Sequence, residues 1–229
     1  MLKVRNLTTG YGKKQVLNDV SFEIGKGDLI LLTGGNGSGK STILKTIYGL
    51  LSPWKNEDGT NGEILFEGKN IVNIPTSDLL RMGIVYMPQK KNVFDDFTVN
   101  ENLLTAASIY PSIEARDRIS KVFVELPPLL SLKHRTPFSM SGGEKQLLAF
   151  GCALLHSPQL MLLDEPFAGM DSDNRQLLLD TITRLNGLGI TFIIVEHNKD
   201  LFNNIKFSEI ELELGKISNY SARTKDTKN

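Results

Sequence analysis

Nine consecutive residues, Gly34, Gly35, Asn36, Gly37, Ser38, Gly39, Lys40, Ser41 and Thr42, form a glycine-dense run in which Gly34 to Ser41 fits G-x-x-x-x-G-K-[ST]. The run follows the apolar "DLILLT" and precedes "ILKTIYGLL", so it joins a buried strand to a helix. Glycine backbones can turn successive N–H groups toward one centre, and the helix start adds the positive end of its dipole. The main chain is thereby suited to hold a polyphosphate. Lys40 is placed to reach the β- and γ-phosphates, Ser41 to offer its hydroxyl to Mg²⁺, and Thr42 to touch the α-phosphate region. A flexible Gly/Ser turn with an exposed lysine would require none of this context.

A phosphate cradle alone hydrolyses nothing. The run "LMLLDEP" ends a second apolar strand in Asp164, whose carboxylate can support Mg²⁺ from beneath the phosphates, and continues directly into Glu165. Adjacent acids at a strand end often merely solvate a loop, but coupled to the cradle Glu165 becomes the expected general base for a water. A third stretch, "MSGGEKQLLAFGCALL", has a good structural explanation: Ser141 and Glu144 make an S-x-x-E capping box. Gly142 and Gly143 are not explained by capping, because glycine weakens a first turn by up to about 1 kcal/mol each. They fit a helix start that something approaches closely, a second anion site.

These groups need strands and helices to position them. "LILLT", "LMLLD" and "ITFIIVE" lack alternation and suit parallel strands covered on both faces. Helical patterns lie between them, with Ile43, Leu44, Ile47 and Leu51 on one face and Leu178, Ile182 and Leu185 on another before Gly187 and Gly189. Strands alternating with helices indicate an α/β fold with a central, mostly parallel sheet. "LKVRNLTTGYGKKQVLNDVSFEIGKGD" and "GEILFEGKNI" have the style of antiparallel hairpins, so an antiparallel β subdomain is expected first. Residues from about 97 to 156 are expected to be an inserted helical subdomain, interrupted at Pro111 and at Pro127-Pro128. Residues 1–220 are expected to form one domain and 221–229 a disordered tail.

Composition narrows the partners. The 229 residues include 26 basic and 26 acidic side chains, which removes the electrostatic footprint of a nucleic-acid binder. Cys152 is the one cysteine, set in an apolar stretch as a small hydrophobe, so no disulfide forms within the chain. No stretch approaches the roughly 20 apolar residues of a membrane span. The expected setting is a reducing, intracellular one.

The cradle, "MSGGEKQ", "LMLLDEPFAGMD" and "VEHN", in this order, resemble the motif set of the ATP-binding subunit of an ABC transporter, over about residues 1 to 220. The resemblance implies the P-loop ABC ATPase fold, ATP with Mg²⁺, and hydrolysis. It implies that Tyr11 stacks on adenine, that Gln89 contacts Mg²⁺ and the attacking water and links sheet to helical subdomain, and that His197 contacts the γ-phosphate. Ser141, Gly142 and Gly143 match the signature that meets ATP held by the opposite protomer, and Asp171 the aspartate of the loop crossing that interface. Met140 and Glu144 stand where the family usually has Leu and Gln; volume and capping are kept.

A homodimer or heterodimer of cassettes, an integral membrane permease on a separate polypeptide and a cytoplasmic place at the inner face of the membrane follow from the same resemblance. Nucleic acid is not an expected partner. A coiled-coil chromosome-type ATPase does not fit the spacing, a ribosome-acting relative normally has two cassettes, and "HNKDL" lacks N-K-x-D spacing. A soluble iron–sulfur cluster assembly ATPase remains an alternative. "EPFAGMD" with "VEHN" looks closest to cassettes of branched-chain amino-acid uptake, then to those of lipopolysaccharide export. Transport direction is left open.

Overall fold

The computed structural model describes residues 1–56, 59–90 and 92–223. At the N-terminus β1 (Leu2–Tyr11) pairs antiparallel with β2 (Lys14–Ile24), and β4 (Glu63–Phe66) and β5 (Lys69–Asn70) extend the sheet in the order β2-β1-β4-β5. Leu2 sits opposite both Ile24 and Phe66, so one apolar row crosses three strands.

The three runs without alternation become β3 (Leu29–Gly34), β7 (Leu160–Asp164) and β8 (Thr191–Val195), adjacent and parallel as expected. Two further parallel strands flank them. β6 (Ile84–Met87) pairs with β7, and β9 (Phe207–Glu213) pairs with β3, while β10 (Lys216–Arg223) closes the edge antiparallel to β9. The full order is β10-β9-β3-β8-β7-β6. β10 reaches three residues into the expected tail because its backbone pairs with β9; residues 224–229 of that expectation lie outside the described residues.

Both faces of this sheet are covered, which explains the missing alternation. Leu29, Leu31, Met161, Leu163, Phe192 and Ile194 face a layer built from α3 (Val99–Ala106), α4 (Ser112–Glu125), α5 (Pro127–Ser131), α6 (Gly142–Leu154) and α7 (Ser172–Gly187). Ile30, Leu32, Leu160, Leu162, Ile193 and Val195 face α1 (Lys40–Ile47) and the antiparallel sheet. Each such side chain, fully buried, contributes about 1.5–3 kcal/mol. The helix α2 (Thr76–Arg81) precedes β6.

Pro111 caps α4 and Pro127 opens α5, positions where a missing N–H is harmless. Helix α1 stops at Ile47, and Gly49 turns away with φ of 74°, so Leu51 lies past the helix rather than on its face. Among the described residues no helix is long and apolar enough to cross a membrane.

Candidate functional site

Parallel strands align their carboxyl ends, and here the ends of β3, β6, β7 and β8 present Gly34, Met87, Asp164 and Val195 along one edge. Ligands of open α/β sheets sit at that edge. The loop after β3 enters α1 through Gly39, which has φ of 110° and supplies no side-chain cap. The first N–H groups of α1 are therefore left for something other than the helix itself. The buried hydroxyl oxygen of Ser38 also has no hydrogen-bond partner among the described residues.

Two loop glycines are required by packing. A β-carbon at Gly34 would lie 2.1 Å from the Leu212 carbonyl oxygen, and one at Gly39 would lie 2.4 Å from a Leu17 methyl. Gly35 and Gly37 face open space instead, so the loop turns bare backbone toward the cleft.

Lys40 Nζ donates to the carbonyl oxygens of Gly34 and Gly35 at 2.9 Å each, which draws the loop around its own ammonium. Burial lowers its pKa, and the carboxylates of Glu165 and Asp164 act the other way. Ser41 Oγ donates to Asp164 Oδ1 at 2.8 Å, and Tyr86 donates its hydroxyl to Oδ2 at 3.3 Å. Burial raises the pKa of Asp164, opposed by these two hydrogen bonds. The Tyr86 hydroxyl is also raised, by burial first and then by Asp164.

Glu165 follows with φ of 51°, a left-handed backbone unusual for a residue with a side chain, held by its N–H donating to Val195 O at 3.0 Å. The turn aims its carboxylate at two partners from separate loops: Gln89 Nε2 donates to Oε2, and His197 Nε2 lies 3.4 Å from Oε1. Glu196 steadies the histidine segment, its Oε1 accepting from the N–H groups of His197 and Asn198 at 2.8 and 3.0 Å.

A cleft of about 480 Å³ runs over these groups, with Asn36, Gly37, Gly39, Lys40, Ser41, Thr42, Glu165 and His197 along its floor and Tyr11 on its wall. Tyr11 is exposed and its hydroxyl is 3.5 Å from Thr42 Oγ1. Val16 of β2 and the turn Leu214-Gly215 complete the wall. Neither stood out in the sequence, since ordinary hairpin residues carry no local mark. Tyr86 carries no local mark either: one tyrosine in an apolar strand reads as core.

Ser141, Gly142, Gly143 and Asp171 do not line this cleft. Ser141 caps α6 in the capping box, with Glu144 N–H to Oγ at 3.2 Å and Ser141 N–H to Glu144 Oε2 at 2.7 Å. Asp171 caps α7, accepting from Asn174 N–H at 2.9 Å and from Asn174 Nδ2 at 2.7 Å, bonds that lower its pKa. A β-carbon on Gly142 would be 3.3 Å from Gly169 O, and one on Gly143 3.3 Å from Met170 Cα. The glycine pair thus admits the chain's own 169–171 loop, and what approaches α6 from inside the chain is already visible. Cys152 lies partly buried against the helical layer, and burial pushes its thiol up to about 12.

A family model described as ABC transporter matches residues 17–168. The chain is 36% identical over 217 residues to the high-affinity branched-chain amino acid transport ATP-binding protein BraG of Pseudomonas aeruginosa, covering 95% of this chain and 91% of that protein. It is 36% identical over 199 residues to the probable branched-chain amino acid transport ATP-binding protein LivF of Archaeoglobus fulgidus, covering 86% and 82%. A dimeric ABC transporter cassette solved in a post-hydrolysis state with ADP and Pi superposes with a TM-score of 0.83 at 25% identity, over 98% of this chain and 100% of that one.

Proposed function

Because this chain belongs to the ABC transporter family, as an ATP-binding subunit that hydrolyses ATP, we propose that it works by closing with a second cassette over two nucleotides, each held between one P-loop and the facing Ser141–Gly143 helix start. The observation that carries this reading is the convergence of Gln89 and His197 on Glu165 beside the P-loop, with the other helix start standing outside the cleft. A triphosphate seated on Gly35 to Thr42 would need its outer face covered, and the exposed Ser141 and Gly142 of a second chain would supply that cover.

Each residue then has a task set by its position. The N–H groups of Gly35 to Lys40 and the start of α1 bind the phosphates, and Lys40 exchanges its two carbonyl partners for β- and γ-oxygens. Tyr11 offers a flat apolar face to adenine. Glu165 takes the proton of the attacking water, oriented by Gln89, while His197 donates to the γ-phosphate. Asp171 lies where the 169–171 loop would run along the seam.

The donor set suits Mg²⁺. Ser41 hydroxyl and Asp164 carboxylate are hard oxygens already 2.8 Å apart. No group of three or more His, Cys, Asp or Glu able to hold a metal exists among the described residues, which fits an ion completed by phosphate oxygens and water with Gln89 nearby. Held by the Ser41 hydroxyl and the Asp164 carboxylate, the ion would supply positive charge against the developing charge on the phosphates. Binding closes the pair; loss of the γ-phosphate removes contacts made only in the closed state, so the pair reopens.

We place the subunit at the cytoplasmic face of a membrane, docked on a separate permease. The names of BraG and LivF favour branched-chain amino acids as cargo. Mixing Lys40→Ala and Gly143→Asp chains tests the shared site. Neither forms an intact site alone, whereas a mixed pair contains one, so hydrolysis should return on mixing. Folded chains that stay inactive when mixed refute sharing between two copies. Leucine uptake by vesicles holding the co-purified permease tests the cargo.

A further inference from the structure

Two buried side-chain amides hold the segment that follows β6, and they do so from different helices. Asn102 of α3 acts locally: its Nδ2 donates to the carbonyl oxygens of Phe94, Phe97 and Thr98 at 2.9–3.0 Å, and Phe94 N–H donates back to its Oδ1 at 2.8 Å. Gln146 of α6 reaches across 57 positions, donating from Nε2 to the Gln89 carbonyl oxygen at 3.3 Å. Its Oε1 accepts from Asn92 Nδ2 at 3.1 Å, and Asn92 Nδ2 also donates to Pro88 O at 3.1 Å.

Gln146 is 8% exposed, and the residues one and four positions after it in α6, Leu147 and Phe150, are fully buried. An apolar side chain would suit that setting, and an amide there must be fully hydrogen-bonded to be tolerated. Both of its partners, Gln89 and Asn92, follow β6. A side chain serving only to fill the helical layer would have no reason to bond there. Lys145, next in α6, adds an ion pair to Asp95 at 3.1 Å, exposed and therefore weak, but fastening the same two pieces.

The chain of contacts is continuous. Glu165 is bonded by the Gln89 side chain, the Gln89 main chain by Gln146, and Gln146 lies three positions after Gly143, on the same side of α6. In the paired-cassette reading on which this inference rests, Gln89 answers to the nucleotide in its own cleft, and Gly143 to the nucleotide of the partner. We propose that Gln146 is the positioning residue that couples the two ATP sites, converting a displacement of the Gln89 main chain into a reorientation of the α6 helix start.

The test uses the full chain and two variants, Gln146→Leu and Asn92→Leu, which cut the same link from opposite sides. Three quantities are read: affinity for a fluorescent ATP analogue, melting temperature, and hydrolysis rate against ATP concentration. Coupling between sites typically amounts to about 5–150-fold in affinity, and the Hill coefficient cannot exceed the number of sites. The parent is expected to show a Hill coefficient approaching about 2. Both variants are expected to fall to a Hill coefficient of about 1 with a lower kcat, while the intrinsic affinity of the unpaired chain for the analogue and the melting temperature stay near those of the parent. Variants that keep the parent's cooperativity and kcat overturn the proposal, and so do variants whose rate falls only in step with melting temperature. A parent that binds ATP but neither pairs nor responds cooperatively sinks the paired-cassette reading itself, and this inference with it.

Discussion

Replacing Glu165 by Gln removes one negative charge and one proton acceptor while keeping the shape of the side chain. In the parent, Oε2 accepts from Gln89 Nε2 and Oε1 lies 3.4 Å from His197 Nε2. Glutamine retains one oxygen, which can keep the Gln89 loop gathered, while the contact to His197 is the one given up. The backbone turn at φ of 51° is also indifferent to the change. Chemistry is affected differently, because an amide cannot take a proton from water. A positioned general base contributes about 10²–10⁴-fold, so the barrier rises by roughly 3–5.5 kcal/mol at 1.36 kcal/mol per decade. Binding should move the other way. Glu165 acts electrostatically on Lys40, so it stands close enough to the phosphate site to repel an anion there. Its neutralisation should leave ATP affinity equal or tighter. Single-turnover hydrolysis of labelled ATP measures the first effect, and light scattering with ATP and Mg²⁺ measures the closed pair that should accumulate. Turnover within about threefold of the parent would refute the assignment of the base. Loss of ATP affinity would refute the electrostatic reasoning.

Other perturbations probe separate parts of the molecule. Tyr86→Phe deletes the hydroxyl that donates to Asp164 at 3.3 Å and keeps the ring; that long bond is worth about 1 kcal/mol, so the Mg²⁺ concentration for half-maximal ATP binding should rise by about fivefold, measured by titration with a fluorescent analogue. Gly34→Ala sets a β-carbon 2.1 Å from Leu212 O at φ of 130°, which should cost about 3 kcal/mol and lower the melting temperature by about 6–12 °C in calorimetry. His156, near the end of α6, is lowered to about 4 by burial first and then by Arg118. The unfolded chain therefore takes up a proton near pH 6.5 that the folded chain refuses until about 4. Stability is fully present above pH 6.5 and declines by about 3 kcal/mol as pH falls through that window, then levels off. Denaturant titrations across this range should show the decline in the parent and lose it in His156→Phe.

The chemistry of this chain was legible where it is local. Gly34 to Ser41, the Asp164-Glu165 pair after an apolar run, and Ser141 with Glu144 are spelled in consecutive residues, because a backbone cradle, a strand end and a helix cap are each made by a short segment acting on itself. β3, β7 and β8 were readable for a related reason: strands covered on both faces must be apolar throughout, and composition alone reports it. β6 and the parallel pairing of β9 with β3 are not legible in the sequence. "GIVYM" is too short to announce a strand, and "EIELEL" alternates as an antiparallel edge strand would, yet it packs beside β3 because Ile210 and Leu212 enter the core on one face.

Tertiary structure alone decided which distant groups meet. Tyr86 finds Asp164 across 78 positions and Gln146 finds the Gln89 carbonyl across 57, distances over which no pattern of residue types constrains the chain. The glycine pair after Ser141 shows the same division. Its presence at a helix start was readable as room for a close approach, but only the folded chain shows Gly169 and Met170 occupying part of that room. Sequence determines what a segment can do with its own backbone; which partner it does it with depends on how the layers pack, and that is settled by the whole chain at once.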